Sequence, residues 1–163
     1  MSEATASMTK SGTAEIVRSN DGEQMSVLGV GVRFLCHAAQ TGQAWSLMET
    51  KVPKDAGPPP HDHPWDEAYY VVDGEVSFGL DDRTLVVGAG DFLYVPAGTL
   101  HGFCGASERP ARMLIFDAPA HAEGFFRDAE REVREMPRDL AKVPGIGSRH
   151  RIRFMPPGAP RPA

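Results

Sequence analysis

Short apolar runs alternate with turn residues from about residue 27 to residue 115 of this 163-residue chain. Glycine, proline and aspartate interrupt the runs roughly every ten residues, which is typical of a sandwich or barrel of short strands. Tight hairpin corners are expected at Asp73-Gly74 and Asp81-Asp82. The pattern indicates an all-β fold. The predicted strands cover residues 30–37, 44–52, 67–72, 75–80, 84–87, 91–95 and 112–117.

The pattern changes after Pro119. Apolar residues then recur at steps of three and four with charged residues between them, which predicts an amphipathic helix over residues 123–135. Pro137 interrupts this pattern, and because proline suits the first turn of a helix, a short second helix is expected to begin there. Two ion pairs at a spacing of four residues are predicted on the first helix, Glu130 with Arg134 and Arg131 with Glu135.

The length fits one domain with tails, and 41% hydrophobic residues are enough for a single core. We expect a disordered lead-in over residues 1–14, a barrel over 15–119 and helices over 120–144. A tail rich in proline and arginine follows over residues 145–163, either packed on the barrel or disordered. Its basic segment, residues 149–153, is interpreted as solvated and has no assigned role.

Charge and cysteine content limit the partners. The formal net charge of −5 gives no electrostatic reason to expect a nucleic acid or an anionic membrane surface as partner. No apolar run approaches the ~18 residues that a spanning helix needs. The two cysteines, Cys36 and Cys104, are too few for a disulfide scaffold, which favours a reducing cytoplasm. A small-molecule substrate remains the expected partner.

Three histidines and one glutamate form a candidate metal site. His61 and His63 are two residues apart, so on an extended segment both rings point to one face, with Cα atoms about 6.6 Å apart. Three preceding prolines hold this segment extended. Glu67 lies four residues further on, and His101 follows a turn at Pro96-Ala97-Gly98. Such ligands suit one divalent metal per chain, Fe, Mn, Ni, Co, Cu or Zn, with two octahedral positions left open.

The remaining histidines have no such spacing. An isolated histidine in a strand is most often a hydrogen-bonded core or surface residue. His37, His121 and His150 are interpreted in this way.

The candidate ligands lie in two motifs that resemble those of the cupin superfamily. The first cupin motif, G-x5-H-x-H-x3,4-E-x6-G, is matched from His61 through Glu67 to Gly74. The second, G-x5-P-x-G-x2-H-x3-N, is matched from Gly90 to His101. The resemblance implies that both motifs contribute ligands to one metal ion.

Two motif positions differ from the cupin pattern, and neither is a ligand. Three residues separate Gly57 from His61 instead of five, and Gly105 replaces the closing asparagine. The resemblance covers about residues 42–119, and the chain from Gly124 onward resembles the C-terminal part of quercetin 2,3-dioxygenase-like proteins. It implies a single-domain conical antiparallel β-barrel, or jelly roll, with a C-terminal helical segment and a metal near one mouth. It also implies a homodimer.

Three functions are compatible with these residues. The first is an oxygenase of the quercetinase-like kind, in which His61, His63 and His101 hold the metal and Glu67 is both ligand and catalytic base. The second is a non-oxidative isomerase, cyclase or lyase that uses the same metal, with Glu67 or a tyrosine as base. The third is a non-catalytic ligand-binding or sensor protein. The tyrosines considered as base are Tyr69, Tyr70 and Tyr94.

An oxygenase also needs an apolar pocket beside the metal. The period of two along a strand places Tyr69 on the same face as Glu67, and Phe103 on the same face as His101. Neighbouring strands offer further apolar side chains. The predicted substrate pocket consists of Met48, Tyr69, Phe78 and Phe103.

Overall fold

Two antiparallel sheets face each other in the computed structural model and enclose one apolar core. The structure describes residues 12–156. Residues 1–11 of the predicted lead-in and residues 157–163 of the predicted tail lie outside the described residues.

The first sheet has six strands in the order β1-β2-β3-β10-β5-β8, and the second has five in the order β11-β4-β9-β6-β7. Most neighbours in a sheet are distant in sequence, which is the arrangement of a jelly roll. The strands are β1 Gln24–Val27, β2 Val30–Cys36, β3 Ser46–Val52, β4 His61–Asp62, β5 Asp66–Asp73, β6 Glu75–Leu80, β7 Arg83–Gly88, β8 Phe92–Val95, β9 His101–Gly105, β10 Ala111–Ala118 and β11 Arg153–Phe154.

The all-β prediction is confirmed, and each of the seven predicted strands is present with slightly different ends. Both predicted hairpin corners are present. β5 and β6 meet at Asp73-Gly74, and β6 and β7 meet at Asp81-Asp82. The strand prediction missed β1, β4, β9 and β11. These strands are two to five residues long, and prolines, glycines or charged residues interrupt or border them, so periodicity alone did not identify them.

Alternation along the strands builds the core. In β3, Met48, Thr50 and Val52 are buried, while Glu49 and Lys51 between them are partly or fully exposed. In β10, Met113 is fully buried and Ile115 nearly so. Burying such a side chain contributes about 1.5–3 kcal/mol, so the inner faces of the two sheets dominate the stability of the barrel.

Two α-helices follow the barrel, α1 Glu123–Glu132 and α2 Val143–Arg149, with the short 3₁₀ helix Arg138–Lys142 between them. The predicted first helix was three residues too long at its end. The Asp139 carboxylate accepts hydrogen bonds from the N–H groups of Arg134 and Glu135, at 2.9 and 3.0 Å, and draws this segment out of the helix. No helix within residues 12–156 has the length and hydropathy to cross a membrane.

The two predicted ion pairs of this helix do not form among the described residues, because their second partners lie beyond its end. Arg131 instead pairs with Asp128 and Glu132, at 2.5 and 3.0 Å. Glu130 accepts a hydrogen bond from the Ser26 N–H, at 3.2 Å, which ties the helix to β1.

The basic segment 149–153 has partners that the sequence did not indicate. Arg149 is the last residue of α2 and lies 2.6 Å from the Glu132 carboxylate. Arg153 begins β11, which pairs with β4, and its guanidinium binds the Asp62 carboxylate. The segment is therefore part of the folded unit, although the Arg153 side chain is 77% exposed.

Candidate metal centre

The three predicted histidines come together between the sheets. His61 in β4 lies opposite His101 in β9, and His63 follows directly after β4. One ring nitrogen of each histidine lies within 4.8 Å of the others. All three side chains are buried. The three histidines predicted from the sequence therefore form one cluster in space.

The backbone orients the three rings. Each Nδ1 faces a main-chain carbonyl oxygen, so Nδ1 carries a proton and Nε2 is available as a ligand. Within residues 12–156, Nε2 of His63 is buried and has no hydrogen-bond partner. A buried polar atom without a partner is costly, and a metal ion would satisfy it. The acceptors are Pro59 for His61 at 2.9 Å, Trp65 for His63 at 3.0 Å and Thr99 for His101 at 2.9 Å.

Glu67 reaches the histidines from the opposite sheet, where it lies in β5. Its Oε2 lies 3.2 Å from Nε2 of His101 and 3.4 Å from Nε2 of His63. The hydroxyl of Tyr69 donates a hydrogen bond to the same oxygen. The mutually close group comprises the three histidines, and Glu67 stands beside two of them. Its role as a fourth ligand stays a prediction.

The electrostatics of the cluster suit a cation. Burial, reinforced by the neighbouring His101, lowers the pKa of His61 to about 3, so this ring is neutral. Burial raises the pKa of Glu67, but the adjacent His101 and His63 outweigh it and hold that pKa well below its usual value. Burial and the charge of Glu67 raise the pKa of Tyr69, which stays a hydrogen-bond donor. The site therefore offers a neutral imidazole beside an ionised carboxylate.

Two glycines explain how the second motif is held. The N–H of Gly98 donates to the carbonyl of His63, at 2.9 Å, and its φ of 81° favours glycine. This bond joins the turn before His101 to the first motif. At Gly105, a Cβ would lie 2.2 Å from the carbonyl oxygen of Pro53. The departure from asparagine in the cupin-like motif therefore has a steric reason.

A small cavity of about 60 Å³ lies beside the cluster, and we call it the inner cavity. His61, His63 and Glu67 line it on one side, while most of its remaining wall is apolar. Trp65 also lines it, and within residues 12–156 its buried Nε1–H has no hydrogen-bond partner. Because the Trp65 ring stacks on His63 with centroids 4.2 Å apart, this unpaired donor lies close to the candidate metal site.

Comparison with known proteins identifies the barrel. Residues 48–117 match the sequence model described as the cupin domain. The fold is that of a cupin. An uncharacterized protein from Streptomyces coelicolor is 37% identical over 57 residues, which is 35% of this chain. That match spans 54% of the length of this curated relative, or about half of it.

Solved cupin-like structures show the same fold. The polyketide cyclase RemF from Streptomyces resistomycificus matches with a TM-score of 0.59 and 24% identity, over 66% of this chain and 80% of its own. KdgF from Halomonas sp. matches with a TM-score of 0.58 and 20% identity, over 64% of this chain and 94% of its own. A predicted oxalate decarboxylase from Thermotoga maritima matches with a TM-score of 0.57 and 23% identity, over 64% of this chain and 98% of its own. At these identities the likeness concerns the fold alone.

The structure separates the four predicted pocket residues into two pairs. Tyr69 and Phe103 line the inner cavity. Met48 and Phe78 are fully buried in the core and do not line it. Phe78 nevertheless supports the wall, since its ring centroid lies 4.9 Å from that of Tyr69 and 5.6 Å from that of Phe103.

The other tyrosines and histidines of the chain lie elsewhere. Tyr70 and Tyr94 are exposed on the outer face of the first sheet, so Tyr69 alone among the three tyrosines borders the site. The three remaining histidines lie outside the cluster. His37 stacks on Phe34 at 5.0 Å, His121 meets the Trp65 edge at 5.6 Å and His150 lies 2.7 Å from Asp128.

Sequence reasoning missed the residues that close the cupin barrel. Phe125 and Phe126 from α1 line the inner cavity together with Ile152 and Phe154 from the tail. Ile152 and Phe154 are two residues apart at the end of the basic segment, and this alternation was the available signal for a strand.

Buried Asp117 positions α1 over the cavity. It accepts hydrogen bonds from the N–H groups of His121 and Ala122, at 3.0 and 3.2 Å, and from the Ser46 hydroxyl. These bonds fix the chain directly before α1 begins, because they join it to the end of β10 and the start of β3. Burial raises the pKa of Asp117.

Proposed function

We propose that this chain is a metal-dependent enzyme that acts on a small, largely apolar organic molecule. The observation that carries the proposal is the convergence of three buried imidazoles, each oriented by a backbone carbonyl, at one side of an apolar cavity. Three nitrogen ligands suit any of the divalent ions Fe, Mn, Ni, Co, Cu and Zn. One ion per chain is expected.

Within this class we propose an oxygenase of the quercetinase-like kind. A redox-active metal, when bound, would supply electron transfer between an organic substrate and dioxygen as co-substrate. Glu67 would serve as fourth ligand and as the base that takes a hydroxyl proton from the substrate, since its carboxylate lies in the wall of the inner cavity. Tyr69 would orient this carboxylate through its hydrogen bond.

The apolar wall supports this assignment. Phe125, Phe126 and Phe154 cover the metal side of the barrel and would exclude water around the reacting groups. The unpaired N–H of Trp65 would donate to an oxygen of the substrate. We therefore expect a substrate that combines apolar surface with at least one hydrogen-bond acceptor near its reacting end.

A non-oxidative isomerase, cyclase or lyase is the second candidate. Tyr69 borders both Glu67 and the cavity, so a proton could pass between the substrate and this pair without dioxygen. The names of similar structures include a polyketide cyclase and a predicted oxalate decarboxylase, and one fold hosts many chemistries. A non-catalytic binding or sensor protein would use the same cavity without turnover.

Metal analysis combined with turnover under air and under nitrogen distinguishes these functions. The protein is purified without an affinity-tag metal and assayed with flavonol, catechol and β-diketone substrates. About one redox-active metal per chain with oxygen-dependent loss of substrate supports the oxygenase. Bound metal with oxygen-independent turnover supports the isomerase, cyclase or lyase, and bound metal with substrate binding but no turnover supports the sensor. Metal below about a tenth of an equivalent, unchanged in His61→Ala, contradicts the metal site.

We also propose that two copies of the chain form a homodimer through the outer face of the first sheet. Aromatic side chains dominate this face, and they are between 37% and 66% exposed. At roughly 200 Å² per aromatic side chain, these fractions leave about 470 Å² per copy, close to the roughly 500 Å² per partner that a specific interface requires. The aromatic residues are Trp45, Tyr70, Phe92, Tyr94 and Phe116.

Register supports one continuous patch. Tyr70 lies between Leu114 of β10 and Phe92 of β8, and Trp45 stacks on Phe116 with ring centroids 5.7 Å apart. A flat aromatic face can pack against the same face of a second copy related by a two-fold axis. The copies would thereby cover the largest exposed apolar side chains of this sheet.

A further inference from the structure

A second, larger cavity of about 470 Å³ lies outside the barrel wall, between the second sheet and the C-terminal helices, and we call it the outer cavity. Small side chains form part of its floor, among them Ser77 and Gly79 of β6, while Leu140 and Val143 contribute to its far wall. The inner and outer cavities share four wall residues, Leu28, Pro58, Phe103 and Phe154. These four residues therefore lie between the two spaces.

Three of the four shared residues are held firmly. Pro58 belongs to a run of three prolines, whose rings fix φ. Phe103 lies within β9, which pairs with both β4 and β6. Phe154 packs between His61 and Phe125, with ring centroids 5.0 and 5.4 Å away. Phe103 is thus held by a strand paired on both sides, Phe154 by its contact with a candidate metal ligand and Pro58 by its ring.

Leu28 is held differently. It occupies the two-residue turn between β1 and β2, with Gly29, and both residues have positive φ, 52° and 80°. β1 is an edge strand that pairs with β2 alone among the strands of its sheet. A turn residue is usually polar and exposed, yet the Leu28 side chain is only 6% exposed and fills the boundary. It is the shared residue that lies in a hairpin turn at the edge of a sheet.

We propose that Leu28 is a specificity-determining residue that limits the size of molecules passing from the outer to the inner cavity. This inference rests on the proposed function, since it takes the inner cavity as the reaction site. The inner cavity alone is much smaller than the roughly 300–1,000 Å³ of typical ligand sites, whereas the outer cavity falls within that range. The substrate class is therefore an organic molecule with a narrow reactive end that passes Leu28 and a larger body that stays in the outer cavity.

Trp65 provides a reporter for this route. The chain has two tryptophans, so Trp45→Phe leaves Trp65, in the wall of the inner cavity, as the only fluorophore of its kind. The Trp45→Phe protein is the parent in this experiment. Quenching of its Trp65 fluorescence by acrylamide and by the bulkier succinimide is compared with the quenching after a further change, Leu28→Ala or Leu28→Phe. Leu85→Ala is the matched control, because Leu85 packs on the core but lines neither cavity. All samples contain a chelator, so the result does not depend on bound metal.

We expect Leu28→Ala to raise the succinimide quenching constant by about threefold and the acrylamide constant less, because a larger opening favours the larger quencher. Leu28→Phe lowers the succinimide constant, and Leu85→Ala leaves both near the parent. An equal rise in Leu28→Ala and Leu85→Ala, or no change in Leu28→Ala, overturns the proposal. If Leu28→Ala does not fold, Leu28→Gly gives the same comparison, because glycine adopts the positive φ of this position without strain. A parent protein that binds no metal would refute the proposed function. The quenching comparison would still test the role of Leu28, because it is made without metal.

Discussion

The ring of Phe154 lies against the ring of His61, with centroids 5.0 Å apart. Their strands also pair, since Phe154 of β11 is the register partner of His61 in β4. A residue near the end of the chain thereby packs on a candidate metal ligand that lies more than ninety positions earlier in sequence. The tail is a structural part of the candidate metal centre.

Replacement of Phe154 by alanine is expected to destabilise the protein by about 3–5 kcal/mol, because it removes a buried aromatic ring and leaves a cavity beside His61 and Phe125. The free energy of unfolding from urea titration measures this loss. Arg153→Ala is the matched control. Its side chain is 77% exposed, and a solvent-screened ion pair such as that with Asp62 contributes little to the free energy of unfolding. Equal losses in both variants would show that the ring does not pack as described.

Loss of any one of the three histidines is expected to remove most of the bound metal. His61→Ala, His63→Ala and His101→Ala should each hold less than about a tenth of an equivalent after dialysis, because two remaining imidazoles bind a divalent ion weakly. Elemental analysis of the dialysed protein measures this. His150→Ala is the control, since His150 lies outside the cluster and pairs with Asp128. Full metal content in any of the first three variants contradicts the proposed ligand set.

Glu67→Gln distinguishes a fourth ligand from a neighbour. If the carboxylate binds the metal, the variant should lose more than about 100-fold in metal affinity, since the loss of a group outside the ligand shell costs about 10–100-fold. Competition with a chromophoric chelator gives the affinity. Tyr69→Phe, which removes the hydrogen bond to Glu67, should have a smaller effect. An unchanged affinity in Glu67→Gln would leave the three histidines as the protein ligands.

The contact between α1 and α2 should depend on pH through Asp128. The hydrogen bond from His150 is the main reason that the pKa of Asp128 is lowered to about 2. Burial acts in the opposite direction, and Arg131 adds to the lowering. A lowered pKa means that the charged form is favoured in the folded state. Its contribution to stability is therefore complete above the unfolded pKa of about 3.9 and is lost as the pH falls toward 2.

Asp128→Asn should accordingly be less stable than the parent at pH 5, and the difference should shrink between about pH 4 and pH 2. Urea unfolding at a series of pH values measures both proteins. Asp82→Asn, at an exposed hairpin corner, is the control and should match the parent throughout. A difference that grows as the pH falls would contradict the assigned direction of the pKa shift.

The proposed dimer face can be tested by introducing charge. Phe92→Glu should convert a dimer into a monomer, because it would bury a carboxylate without a partner in the interface. Light scattering with size-exclusion chromatography measures the mass. Val86→Glu is the control, since Val86 is similarly exposed, at 59% against 66%, but lies on the second sheet. A parent that is monomeric at every concentration contradicts the proposal.

The ligand motif can be predicted from the sequence because its geometry is mostly local. Residues two apart on an extended segment share a face, and this relation alone places His61 beside His63. The antiparallel barrel follows from alternation and from turn residues at Asp73-Gly74. By contrast, the end of α1 depends on the Asp139 carboxylate, which competes for backbone N–H groups several residues away. Helical periodicity contains no information about such a competitor.

The sequence by itself determined the all-β class, the corners of the hairpins and the identity of the three histidines, since each depends on residues close together along the chain. Only the tertiary structure decided which side chains close the site. Phe154 and Leu28 reach the cavity through pairing between strands and through a turn at a sheet edge. Such contacts are set by how distant segments pack, and packing minimises exposed apolar area over the whole barrel at once, which no local pattern of residues encodes.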